Sequence, residues 1–315
     1  MLDTIYIVRH GFRMNWHGNL TFTHLGRPRD PPLTAHGLDQ ATELASFFQS
    51  SDAPPQLIIS SPYYRTVQTS LPTSKALNLP IHLEPGLTEW FPPVEPSTAN
   101  PKDTGGVHPY PPTRALLESE FPEGSLAPTL AWPPCLYADI AGEDVPQLHQ
   151  RASDILRRIE RQCELLYPDV RRVLIVSHAA TIIAMGRALV RKGPGAPWEE
   201  GADAKGYHVG AGTASLSQYD RPADSRARIG DPSAIFTHVL NGSCDHLERG
   251  LERDWNFAHL PYNVTEHGMG DSWHDDQAPS DAELEAQTAH WREQEQLMLQ
   301  GDPSSGAAHA DRTRL

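Results

Sequence analysis

Thr4-Ile5-Tyr6-Ile7-Val8-Arg9-His10-Gly11 is the stretch on which the reading of this chain turns. A β-branched, apolar run stops at an arginine, a histidine and a glycine. This is the pattern of a strand buried on both faces that carries two polar side chains to its carboxyl end. In open parallel sheets, ligands bind in the crevice outside those carboxyl ends. Taken alone, the pair reads more simply as a core histidine with a paired arginine beside it.

Outward from this strand, strand and helix patterns alternate. Phe12 to Pro32 is polar and irregular and should roof the crevice. Leu33 to Ser50 predicts an amphipathic helix with Thr34 as N-cap and Leu38, Ala41, Ala45 and Phe48 as its buried stripe. Leu57-Ile58-Ile59-Ser60 is a second buried strand, and Ser61-Pro62 predicts a helix start with serine as cap and proline in the first turn. Arg65 then lies about one turn in, and Pro72 should kink or end that helix. Ile81-His82-Leu83 reads as a third strand, followed by a turn that carries Glu89.

From 91 to 135 the chain is dense in proline, with a short helix predicted over 113–121, and reads as an insertion lying over the site. Asp144 to Tyr167 is a helix whose stripe is Leu148, Ala152, Ile155, Ile159, Cys163 and Leu166. Val173-Leu174-Ile175-Val176 is the fourth strand, ending in His178 and opening a helix at Ala179. Two marginal strands are expected at 213–219 and 236–241. The expected organisation is one domain over 1–257 and an acidic, largely disordered tail over 258–315. Within the tail, Ser280 and Glu283 form a capping box, and Leu284, Trp291 and Met298 a heptad stripe, for a helix over 281–300.

Composition narrows the function. Forty acids against 26 bases give a net charge of -14, which argues against a nucleic-acid groove of the chain's own, since phosphate backbones are bound by surplus lysine and arginine. Cys135, Cys163 and Cys244 are too scattered for a disulfide framework or a metal-ligand spacing, so a reducing interior is expected. The first strand begins almost at once, leaving no room for a signal segment, and no apolar run approaches the roughly 20 residues that span a bilayer. A soluble intracellular protein, cytoplasmic or nuclear, with no membrane association is the expectation. There is no P-loop and no paired-aspartate site, and the 16 histidines show no ligand spacing.

Three further stretches change the reading of the first: Ser60-Ser61-Pro62-Tyr63-Tyr64-Arg65-Thr66, Gly86-Leu87-Thr88-Glu89-Trp90, and Ser177-His178-Ala179-Ala180. With Arg9-His10-Gly11 they resemble, in order and spacing, the motifs of the histidine phosphatase superfamily, which includes the phosphoglycerate mutases. That resemblance implies an α/β fold, a three-layer α/β/α sandwich with a mostly parallel central sheet. It also implies hydrolysis of a phosphorylated substrate without a cofactor or metal. His10 would be the nucleophile, with its Nδ1 proton held by a backbone carbonyl. Arg9 and Arg65 would clamp phosphate oxygens, His178 would complete the pocket, and Glu89 would be the general acid and base. Arg13 and Asn15 would reach substrate or phosphate from the roof. A mutase would need further basic residues in the insertion, where Lys102 and Arg114 stand nearly alone, so hydrolysis is favoured.

A narrower resemblance rests on RHGFRMNW, ISSPYYRT, GLTEWFPP, SHAAT and the far stretch Leu240-Asn241-Gly242-Ser243 to Asp254-Trp255-Asn256-Phe257. It is to the fungal histidine phosphatases that include a subunit of TFIIIC, the RNA polymerase III initiation factor also called transcription factor tau. It implies a scaffold role as the alternative to catalysis, TFIIIC subunits as partners, and a nuclear location.

Overall fold

The structure is a computed structural model that describes residues 1–16, 25, 29–93, 111–139, 142–190, 207–231 and 233–257. The helix predicted over 281–300 lies outside the described residues, as does most of the roof segment.

Six strands form one sheet: β1 (Thr4–Arg9), β2 (Leu57–Ser60), β3 (Ile81–Leu83), β4 (Arg172–Ser177), β5 (Leu216–Asp220) and β6 (Thr237–Ser243), in the order β3-β2-β4-β1-β5-β6. β1 to β4 run parallel, while β5 is antiparallel to β1 and β6 to β5. Successive side chains point to opposite faces, and two cores follow from this. Ile5, Ile7, Ile59, Val173 and Ile175 pack under α4 (Val145–Leu166) and α5 (Ala179–Leu189). Tyr6, Val8, Ile58, Leu174 and Val176 share the other core with Leu44 and Phe48 of α1 (Ala35–Ser50) and Val67 of α2 (Tyr64–Leu77). The expected three-layer α/β/α sandwich is the fold.

Register, more than any helix, positions the site. Arg9 pairs with Ser177 and Ser60 with Val176, so the next residues of three parallel strands, His10, His178 and Ser61, emerge together at one edge. Backbone bonds from His10 N to Ser177 O (3.0 Å) and from Ser61 N to Val176 O (2.9 Å) carry the pairing just past the strand ends.

Four details differ from the sequence reading. Leu38 is 42% exposed, and Gly37 takes the inner position because the Phe12 carbonyl approaches the helix there too closely for any side chain. Ser61 does not cap α2. The N-cap is Tyr63, without a side-chain bond, and Ser61 is left free to point its hydroxyl into the site. Of the two outcomes expected at Pro72, an end or a kink, the helix does not end there: α2 runs through it to Leu77 and closes on Asn78 in the left-handed conformation (φ 53°). Leu166, at the last turn of α4, is 44% exposed and does not join the buried stripe. The capping box of α4 pairs Asp144 with Gln147.

The described part of the insertion, 111–135, runs along the outer edge of β3. Ile81 N donates to Ser125 O (2.8 Å) and Ala127 N to Ile81 O (2.9 Å), with a parallel bridge from Ile81 to Leu126. It covers a sheet edge that would otherwise present unpaired backbone groups. Within it, α3 (Arg114–Glu120) is capped by Thr113. Residues 94–110 lie outside the described residues.

Candidate active site

His10 is buried and its Nδ1 lies 2.8 Å from the Gly11 carbonyl oxygen. A carbonyl only accepts, so Nδ1 carries the ring proton and the lone pair of the neutral ring is on Nε2. Burial, reinforced by Arg65, Arg9 and Arg13, holds His10 well below the ordinary imidazole range. The ring is therefore neutral near pH 7. His178 is buried beside it, ring centroids 5.5 Å apart. Burial, then Arg65, pushes His178 well down too. Its Nδ1 lies 3.0 Å from Arg65 Nη2 and its Nε2 2.8 Å from Ser61 Oγ. A guanidinium only donates, so Nδ1 accepts and the proton is on Nε2, donated to Ser61.

Arg65 is fully buried and over-determined. Nη1 donates to Asp30 Oδ1 (2.9 Å) and Arg29 O (3.0 Å), Nη2 to Glu89 Oε2 (3.3 Å), and the guanidinium lies 4.5 Å from the centre of the Tyr63 ring. Arg9 Nη1 donates to the carbonyls of Ala211 and Arg253, both at 2.6 Å. Burial, then Arg13, brings Arg9 down to about 9, against the pull of Glu89 and Asp254; it stays charged near neutrality. Nε of Arg9 and Nε of Arg65 are buried without a hydrogen-bond partner among the described residues. Buried N–H groups are costly to leave unmatched, so the site carries a donor surplus suited to an oxyanion.

Glu89 sits at the rim, with Oε2 also 3.4 Å from His178 Nδ1 and Oε1 accepting from Trp90 N (3.1 Å). Its loop is held from behind. Arg151, itself paired with both oxygens of Glu143, donates to the carbonyls of Gly86 and Thr88. Thr181 and Ser177 hydroxyls donate to Thr88 O and Leu87 O. Buried Glu84 gathers four N–H donors, from Gly86, Trp132, Cys135 and Leu136, and so ties the insertion to the same turn.

Of the residues expected at the site, Arg9, His10, Arg65, Glu89 and His178 converge. Arg13 is buried next to them, its guanidinium 4.6 Å from the Trp16 ring centre. Asn15 lies on the 3-10 turn Met14–Trp16, but it is its neighbour Trp16 that stacks on His10, with centroids 6.0 Å apart and planes at 29°. Sequence reasoning missed Asp30, Ser61 in its second role, Arg151 and Arg253. None carries a local signal, because each acts on a residue distant in the chain.

His10, Glu89 and His178 each present one ligating atom within 4.8 Å of one another. With Arg9, Arg13 and Arg65 around them, the local field favours an anion over a metal cation.

The chain is similar to several known proteins. Residues 5–93 match the histidine phosphatase superfamily (branch 1). The chain is 32% identical over 272 residues to the transcription factor tau 55 kDa subunit of Saccharomyces cerevisiae, a match that covers 82% of this chain and 59% of that subunit. The chain thus spans little more than half the length of that curated relative. The ecdysone phosphate phosphatase of Bombix mori, solved with tungstate, superposes with a TM-score of 0.50 at 18% identity, covering 71% of this chain and 96% of that one. A mycobacterial glucosyl-3-phosphoglycerate phosphatase gives a TM-score of 0.46 at 20% identity, over 76% of this chain and 98% of that one. With a histidine and an arginine from one strand end facing a second histidine and a second arginine across a parallel sheet, and with the family's profile matched from that first strand onward, residues 5–93 of this chain belong to the histidine phosphatase superfamily.

Proposed function

We propose that this chain is a metal-independent phosphomonoester hydrolase working through a phosphohistidine at His10. Nε2 of the neutral ring attacks phosphorus, the ester oxygen leaves with a proton from Glu89, and the Gly11 carbonyl holds the Nδ1 proton of the now cationic ring. Arg9 and Arg65 face the equatorial oxygens, where charge spreads in the transition state, and His178 completes the pocket by holding Arg65 and Ser61 in place beside them. Water then attacks the phosphohistidine, gives its proton to Glu89, and releases phosphate with neutral His10 restored. Arg13 and Asn15 are assigned to the substrate side, and the catalytic unit is residues 1–257.

The observation that carries this reading is the 2.8 Å bond from His10 Nδ1 to Gly11 O, which leaves the other nitrogen basic inside a ring of donors. The test is hydrolysis of 4-nitrophenyl phosphate with EDTA present. Wild type is expected to turn over and His10→Ala to be inactive, whereas a wild type as inert as the variant would overturn the proposal.

A second reading is supported by the 32% identity to the tau 55 kDa subunit: the chain works in the nucleus as a TFIIIC component, with catalysis secondary or absent. Affinity capture from the source cell tests it. Recovery of TFIIIC subunits is expected on this reading, and their absence would count against it.

A further inference from the structure

The arginines of the site form an inner and an outer set. Arg9 and Arg65 are buried; Arg29 and Arg253 stand outside them and are held alike. Each outer residue has left-handed backbone, φ 65° and 51°. Each turns its carbonyl inward to accept from an inner arginine, Arg29 from Arg65 Nη1 at 3.0 Å and Arg253 from Arg9 Nη1 at 2.6 Å. Each also lays its guanidinium on aromatic rings, Arg29 5.0 Å from the Phe91 centre, Arg253 5.4 Å from Trp16 and 5.6 Å from Phe12. A non-glycine residue held there costs on the order of 1 kcal/mol or more, and such strain persists where surroundings over-determine it. The inward carbonyl accounts for the backbone. It does not account for a cation on the side chain.

Arg253 is exposed, and its guanidinium rests on ring faces without a carboxylate partner among the described residues. The indole of Trp16 is shared. Arg9, Arg13 and Arg253 lie 5.3, 4.6 and 5.4 Å from its centre, and the same ring stacks on His10. A molecule whose phosphorus faced His10 and which left the pocket along Trp16 would pass from the inner arginines to Arg253. The phosphoryl group is matched by the inner set, so a cation at the mouth has work only if the substrate carries more charge. In a chain of net charge -14, a cationic mouth also focuses anions against the surrounding field.

We propose that Arg253, together with Arg13, forms a second anion subsite at the pocket mouth, and that the preferred substrate is a phosphomonoester bearing a further acidic group. The subsite rests on the proposed function for the position of the phosphoryl group at His10. It gives Arg253 two tasks: its backbone orients Arg9, and its side chain selects substrate.

Binding of non-hydrolysable probes separates the two ideas. Calorimetric titration of wild type with butylphosphonate and with 4-phosphonobutyrate compares molecules that differ by one carboxylate. Wild type is expected to favour the carboxylated probe by about tenfold, the scale of one charge-assisted hydrogen bond. Arg253→Gln should bring the ratio to about one, and Arg253→Lys should keep part of it. Equal binding of the two probes by wild type, or a preference that survives Arg253→Gln, overturns the second subsite and leaves the hydrolase reading standing. Failure of both probes to bind wild type overturns the anion cradle itself.

Discussion

Asp30 Oδ1 accepts from Arg65 Nη1 at 2.9 Å, joining two wholly buried side chains that stand 35 residues apart in the chain. The other carboxylate oxygen accepts from Tyr64 N at 2.7 Å, so Asp30 orients both Arg65 and the first turn of its helix. Burial raises the Asp30 carboxyl, and Arg65 is the largest influence against it. Removing one partner of a buried pair strands the other charge, typically at about 3–5 kcal/mol. Asp30→Ala is therefore expected to lower the thermal midpoint sharply. Phosphate should restore more of that loss than the stabilisation it gives wild type, because an anion replaces the missing charge. Differential scanning calorimetry with and without phosphate measures both, and equal phosphate effects in the two proteins would contradict the role given to Asp30.

Glu89→Gln preserves the acceptor for Trp90 N but removes the transferable proton. The fold should survive, and turnover of 4-nitrophenyl phosphate should fall about 10²- to 10⁴-fold, the usual span of one general acid. The loss should shrink with a substrate whose leaving group needs no protonation. A series of aryl phosphates of falling leaving-group pKa checks this, and a loss independent of leaving group would remove Glu89 from the acid role.

The histidines set the response to acid. His10, His82, His149, His178, His238 and His246 are all lowered, burial being the first cause in each, with His149 at about 3 and His238 at about 4. Their unfolded-state value is about 6.5. Below it the unfolded chain binds protons that the folded chain refuses, so stability is full above about pH 6.5 and falls as pH drops towards 3. Asp30 and Glu84, raised by burial, oppose this only above the ordinary carboxyl range. Denaturant melts at pH 7, 5.5 and 4.5 should show a steady decline. In nitrogen-15 spectra, the Nε2 of His10 should stay unprotonated at pH 6; an imidazolium there would refute the neutral nucleophile.

Two glycines permit a close approach that the site requires. A Cβ on Gly37 would lie 2.1 Å from the Phe12 carbonyl oxygen, and one on Gly11 would lie 2.7 Å from that of Gly37. Both neighbours are backbone and cannot turn aside. Gly37→Ala should push the start of α1 away from residues 10–13, costing stability and also activity through displaced Arg13. Gly124→Ala is the control, since no atom lies within 4 Å of its Cβ position, although its φ of 80° adds some strain. Comparable activity loss in the two variants would deny that the 11–37 contact matters.

Much of the fold is legible in the sequence because burial on both faces writes itself into consecutive residues. Ile5 to Val8, Leu57 to Ile59 and Val173 to Val176 are apolar at every position, and the polar residue that ends each run marks the carboxyl edge. Helix ends were less legible. Ser61-Pro62 has the composition of a cap, yet the hydroxyl is drawn to His178, and a hydrogen bond inside the site outweighed local preference. Pro72 forfeits one helical bond, and α2 continues because its buried face, with Val67, Thr69 and Thr73, still packs on the sheet.

By itself the sequence determined which side chains stand at the ends of the parallel strands: Arg9 and His10, Ser61 with Arg65 a turn beyond, and His178. Strand burial and the strand-to-helix turn are local properties, read within a few residues. Only the tertiary structure decided how those groups are held. The pairing of Arg9 with Ser177 set the imidazoles side by side, Gly11 and Arg65 fixed which ring nitrogen carries each proton, and Asp30 and Arg253 arrived from 35 and 244 residues away to orient the two inner arginines. Such contacts have no local signature, because a hydrogen bond depends on where two segments meet in space and not on the residues that flank either one.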